Sequence, residues 1–142
     1  MTDTTTMRPT LSEATARSMI DTARGQARSL GVPVTIVVVD ESGVLLAMLR
    51  MDAAPLVSVQ TAINKAYAAA AIGMPPDEFY AAIESDAAAV AEFATRPGLA
   101  LIGGGLPVVI DSKVAGAIGV AGAMTAAQDR QIAATAAGKA TA

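Results

Sequence analysis

The sequence contains no cysteine, no histidine and no tryptophan. Without cysteine there is no disulfide and no thiol nucleophile. Without histidine the Ser-His-Asp triad is excluded, along with the usual zinc, copper and non-haem iron ligand sets. Any chemistry must come from Lys, Arg, Asp, Glu, Tyr, Ser, Thr or backbone amides. Aromatic residues make up only 3%, two Tyr and two Phe, too few for the stacking platforms that single-stranded nucleic acid requires. Ten Lys and Arg against thirteen Asp and Glu leave a net charge of -3, so the basic footprint of a phosphate-binding surface is also missing. Nucleic acid is therefore not expected as a partner. The carboxylates are scattered, with no dense acidic loop to hold a hard cation, and no metal is expected. The longest uncharged runs, Pro97–Ile110 and Val114–Gln128, are broken by glycines and fall short of the roughly 18 residues of a spanning helix. The N-terminus lacks a basic region followed by an apolar core, so it does not read as a secretory signal. A soluble, cytoplasmic protein with no membrane association is the expectation.

What is present is aliphatic. Hydrophobic residues account for 53% of 142 residues, enough to bury one core and too few residues for two domains. Residues 1–9 are polar and Thr-rich, a flexible N-terminal arm before a single domain over 10–142. Thr10-Leu11-Ser12-Glu13 fits a capping box, and Met19, Ala23, Ala27 and Leu30 recur at helical spacing until Gly31. The β-branched run through Val34–Val39 and the apolar stretch Val44–Leu49 flank Asp40-Glu41-Ser42-Gly43, which predicts a hairpin. An Ala-rich helix is predicted over about 57–72, ended by Gly73. A second helix is predicted from Pro75-Pro76 to about Ala94, with Asp77 and Glu78 in its first turn. Strands are predicted at Leu99–Ile102, Pro107–Ile110 and Val114–Val120, then a helix over 125–137 opened by a second capping box, Thr125 to Gln128. The order αββααβββα, with hairpins in place of βαβ crossovers, predicts an α+β fold: a central, largely antiparallel five-stranded sheet flanked by helices.

Four polar groups interrupt apolar surroundings. Lys65 sits in the run Ala62-Ile63-Asn64-Lys65-Ala66-Tyr67; on a helix that apolar, a lysine either snorkels to solvent or is desolvated toward useful basicity. Tyr67 follows two positions later. Arg50 and Asp52 close the second strand, as a structural ion pair or with the arginine as a carboxylate clamp. Gly103-Gly104-Gly105 permits either close backbone packing or amides turned toward a ligand's oxygens, and it matches no nucleotide fingerprint. Gly116, Gly119 and Gly122 line a strand with small residues, suited to close packing against a helix or another subunit.

Taken in order, Asp40-Glu41-Ser42-Gly43, Arg50-Met51-Asp52-Ala53-Ala54-Pro55, Ser58, Lys65-Ala66-Tyr67, Gly103–Pro107, Gly116–Val120 and Gln128-Asp129 resemble the GlcG/HbpS family, which includes the C-terminal domain of PduO-type proteins. The resemblance covers about residues 10–138. It implies a profilin-like fold, homo-oligomers, and a ligand pocket near Arg50, Met51, Asp52, Lys65, Tyr67 and the triple glycine. Some members bind haem, and others accompany degradative pathways. This chain departs from the family pattern at Ala53, where glycine is usual, at Ala68, where threonine often stands, and at Ala121, where serine is usual. The missing histidine removes a favoured haem axial ligand.

Two functional expectations follow from the residues and the resemblance. One is a small-molecule-binding protein, with haem as the family's ligand and Arg50, Met51, Tyr67 and Gly103–Gly105 at the site. The other is a cofactor-independent enzyme acting on a small carboxylate or carbonyl compound, with Lys65 as base or nucleophile and Asp52 moving or orienting a proton. A depressed Lys65 in a closed pocket favours the second; a solvent-exposed Lys65 removes it.

Overall fold

The computed structural model describes residues 4–141, and so leaves out part of the expected arm, residues 1–3, together with residue 142. Residues 4–11 form neither helix nor strand. Leu11 N–H donates to Ala115 O, and its buried side chain lies against Gly116. This tether keeps the chain out of helical geometry through Leu11. Helix α1 (Glu13–Leu30) therefore takes Ser12 as its N-cap instead of the expected Thr10, with Ser12 Oγ accepting Thr15 N–H at 3.1 Å. Gly31, at φ +71°, ends the helix as expected.

Strands β1 (Thr35–Asp40) and β2 (Leu45–Arg50) form the predicted hairpin. Asp40 Oδ1 organises its turn by accepting Ser42 N–H at 2.8 Å and Val44 N–H at 3.0 Å. Helix α2 (Val57–Ile72) follows. The single helix expected over Pro76–Ala94 is two helices, α3 (Pro76–Ile83) and α4 (Ala87–Ala94). Asp86 causes the break, because its carboxylate accepts the N–H groups of Ala88 and Ala89 and so starts a new helix. Phe79 and Phe93 lock the two together edge to face at 5.2 Å. Strands β3 (Gly105–Ile110) and β4 (Lys113–Ala121) and helix α5 (Ala126–Ala140) complete the order. Thr125 caps α5 as its sequence predicts, accepting Gln128 N–H at 3.1 Å.

The sheet has four strands, ordered β2-β1-β4-β3 and antiparallel throughout, and not the expected five. Leu99–Ile102 is apolar enough for a strand but joins no ladder, since the chain turns through Gly103 and Gly104, the latter at φ +128°. Pro107 is tolerated within β3 because that strand is an edge.

The central strand β1 is buried on both faces. Val37 and Val39 pack under α2 with Ala62, Ala66 and Ala69, while Ile36 and Val38 face α1 and α5. The α2 layer is thin. At Gly119 of β4 a Cβ would lie 2.5 Å from Ala66 N, so the helix backbone rests directly on the strand. That contact is of the helix-packing kind expected for the second glycine set. Among the described residues no helix is long and apolar enough to cross a membrane.

Candidate functional site

Helix α2 is apolar nearly all round, and the face it turns to the sheet carries Ser58, Ala62, Lys65, Ala66 and Ala69. Lys65 thus occupies a core slot and is 1% exposed. Its Nζ donates to Val120 O and to Asp129 Oδ2, each at 3.0 Å. Asp129 takes the matching slot on α5, where Asp129, Ile132, Ala133 and Ala136 are the buried positions. Its other oxygen, Oδ1, accepts Ala123 N–H at 3.0 Å. Three elements, α2, β4 and α5, are therefore joined by one desolvated ion pair. Of the two expected states of Lys65 this is the desolvated one, here with a carboxylate as partner. Two of the three ammonium protons are spent, one on a backbone carbonyl and one on a carboxylate, in a position almost closed to solvent.

The triple glycine covers this pair. All three glycines are buried. A Cβ on Gly104 would lie 2.7 Å from Lys65 Nζ, one on Gly105 3.3 Å from Pro76 Cδ, and one on Gly103 3.0 Å from Ala126 O. Close packing therefore accounts for each glycine, and Gly104 O is itself used, accepting Val120 N–H at 2.9 Å. A cleft of 220 Å³ opens beside the pair, lined among others by Ser58, Lys65, Gly122 and Asp129.

Tyr67 lies elsewhere. Two positions along a helix turn the side chain by about 200°, so Lys65 and Tyr67 project from opposite faces of α2. Tyr67 is 41% exposed, and its ring covers Gly43 in the β1–β2 turn, where a Cβ would come within 2.8 Å of Cδ1.

Arg50, Met51 and Asp52 form a third locality at the far end of β2. Arg50 and Asp52 do not pair. Arg50 instead donates from Nε at 3.3 Å and Nη2 at 3.1 Å to Ala54 O, closing the bend that follows the strand. Inside that bend Ala53 holds φ +68°, a left-handed conformation that favours glycine. Arg50, Met51 and Asp52 line a cleft of 420 Å³ with Arg24 and Arg28 of α1 and Leu49. Met51 is half-buried against the α1-side core. The structure thus groups Lys65 with Gly103–Gly105, groups Arg50 with Met51 and Asp52, and sets Tyr67 apart from both.

Two further polar clusters emerge. Buried Ser58 donates to Pro55 O at 2.5 Å, so Thr35, 2.8 Å from Ser58 Oγ, is the donor in their mutual bond. Arg130 of α5 bridges Glu78 at 2.6 Å and Asp77 at 2.5 Å in the first turn of α3; these bonds, Glu78 first, raise the guanidinium pKa above its ordinary range. Asp129 was legible beforehand only as part of the Gln128-Asp129 motif. The signal that it meets Lys65 is its position on the spacing of the α5 core stripe.

The family model described as "Haem degrading protein HbpS-like" matches residues 11–138. The chain belongs to the HbpS-like family. Its relatives include an uncharacterized 15.0 kDa protein of the dhaT-dhaS intergenic region of Citrobacter freundii, 37% identical over 128 residues and 89% of each chain. Protein GlcG of Escherichia coli is 35% identical over 110 residues, 78% of this chain and 80% of GlcG. Among solved structures, a double mutant of Streptomyces reticuli HbpS superposes with a TM-score of 0.86 at 30% identity, covering 95% of this chain and 90% of the other. A PduOC:heme complex superposes at 0.83 and 29% identity, covering 91% and 94%. The GlcG/HbpS resemblance drawn from the ordered motifs is thus shown for this HbpS-like chain.

Proposed function

We propose that this HbpS-like protein binds a small anionic ligand of the haem class in the cleft lined by Arg24, Arg28, Arg50 and Met51. The observation that carries the reading is the concentration of three arginines on one cleft with apolar walls from Leu49 and Met51. Arg24 and Arg28 stand four residues apart on α1 and enter no ion pair among the described residues. A planar fork of donors of this kind suits the carboxylates of an otherwise apolar ligand. Membership of a family described by haem degradation, and likeness to PduOC crystallised with heme, support the same ligand class.

The residues fit the periphery of haem better than its iron. The chain has no histidine or cysteine, Lys65 is committed to Asp129, and the Tyr67 ring lies over Gly43. Binding through the carboxylates and the ring face is accordingly the reading, with the iron contributing little affinity. A catalytic role for Lys65 as base or nucleophile draws no support from its sealed, paired ammonium. To the same proposal belong a profilin-like fold, one domain over residues 10–142 behind an N-terminal arm, a cytoplasmic location and self-association. Val44, Leu45 and Met48 on or beside the edge strand β2, all exposed, support the last of these.

Titration of the purified protein with haemin, and separately with iron-free protoporphyrin, tests the reading. Both should bind saturably and with similar affinity, and Arg24→Ala combined with Arg28→Ala should weaken both about tenfold, a loss of about 1.4 kcal/mol. Absence of saturable binding, or affinity untouched by the double substitution, overturns it.

A further inference from the structure

A cavity of 540 Å³ lies at the other end of the hairpin from the arginine cleft. The length of β1, about 17 Å, separates Glu41 beside this cavity from the Arg50 end. Its walls come from the Ala70–Gly73 end of α2, from Glu41 in the β1–β2 turn, from Lys113 and Val114 at the start of β4, and from residues 6–8 passing across it.

Charges of both signs line this space without neutralising one another. Glu41 Oε2 is buried and accepts no hydrogen bond among the described residues. Next to it α2 ends with no basic residue in its last turn; Gly73 N–H caps Ala69 O, and the carbonyls after it present the negative end of the helix dipole. Both features call for a cationic donor. Arg8 and Lys113 line the same cavity, yet neither forms an ion pair with Glu41. Lys113 Nζ gives one bond, at 2.9 Å, to Met7 O, which holds the passing segment over the cavity and leaves two ammonium protons for other acceptors. Ala70, Ala71, Ile72 and Val114 give the same cavity an aliphatic wall.

A simple anion would leave the buried Glu41 oxygen unanswered, and a simple cation would face Arg8 and Lys113 unpaired. A molecule carrying an ammonium and a carboxylate on one aliphatic frame satisfies both ends. We infer that this cavity is a binding site for an aliphatic amino acid. The ammonium faces Glu41 and the α2 carbonyls, and the carboxylate faces Lys113 and Arg8.

The test uses the full chain and isothermal titration calorimetry with three probes of one skeleton: L-leucine, 3-methylbutylamine, which lacks the carboxylate, and 4-methylpentanoate, which lacks the ammonium. Leucine should give a saturable isotherm, with each singly charged analogue binding at least about tenfold more weakly. Glu41→Gln and Lys113→Met should each cost leucine about tenfold while leaving the circular dichroism spectrum and the haemin titration unchanged. Arg8→Gln provides a third variant, on a segment outside the sheet, should either of the others unfold. No saturable heat from leucine, an analogue that binds as tightly as leucine, or leucine affinity indifferent to folded Glu41 and Lys113 or Arg8 variants overturns the assignment.

Discussion

Replacing Lys65 by methionine removes the ammonium and keeps most of the volume that fits beneath Gly104. What remains is the Asp129 carboxylate, 5% exposed, with Ala123 N–H as its one remaining donor among the described residues. Breaking a buried ion pair from one side costs about 3–5 kcal/mol, because the surviving charge stays desolvated without its counter-ion. For a domain of this size each kcal/mol moves the melting temperature by roughly 3–5 °C, so Lys65→Met should lower it by about 10–20 °C. Asp129→Asn is the informative partner. The amide keeps an oxygen for Ala123 N–H and removes the charge, so the double variant has no stranded carboxylate. It should recover about 2 kcal/mol relative to Lys65→Met alone, a coupling well outside the error of a double-mutant cycle. Urea unfolding followed by circular dichroism measures all four proteins. The cost should also be indifferent to 0.5 M salt, since the pair is shielded from the ionic atmosphere. Additive single effects, or a Lys65→Met penalty under about 1 kcal/mol, would refute a buried pair and restore Lys65 as a candidate for chemistry.

Other substitutions probe the remaining features. Ala53→Gly should stabilise the protein by about 0.5–1 kcal/mol, because relief of the left-handed strain at φ +68° exceeds the added chain entropy; a lower melting temperature would show that the bend does not hold that conformation. Ser58→Ala should cost about 1–3 kcal/mol by depriving the buried Thr35 hydroxyl of its acceptor, and Thr35→Val combined with Ser58→Ala should sit closer to wild type; equal losses in both would disprove the shared bond. Arg130→Gln should cost only about 0.2–1 kcal/mol, discounted for the half-exposed setting of its two ion pairs. The raised Arg130 pKa means that its contribution is complete below the unfolded arginine value and fades only as pH climbs through the folded one. Thermal melts between about pH 6 and 9 should therefore show a flat penalty on the arginine's account.

Local chemistry made much of the fold readable. The β-branched run of β1, the Asp40–Gly43 turn, the Gly31 and Gly73 helix stops and the Thr125 cap all act within a few residues, and the structure shows each in place. Where a distant contact decides, the sequence reading fails. Leu11 is drawn onto β4 and shifts the first cap to Ser12, and Leu99–Ile102 has strand composition but no neighbouring strand to pair with. The site follows the same division. Lys65 stood out because a charge interrupts an alanine stripe, but a single helix cannot say whether that charge meets water, substrate or a counter-ion. The answer lies 64 residues away, where Asp129 interrupts the buried stripe of α5 in the same manner. Two groups of opposite charge, each occupying a core position on a different helix, offset the cost of burial by pairing with one another. Periodicity on both helices thus contained the pairing, and Gly104, which leaves no room for a Cβ above Nζ, closes it from the third side.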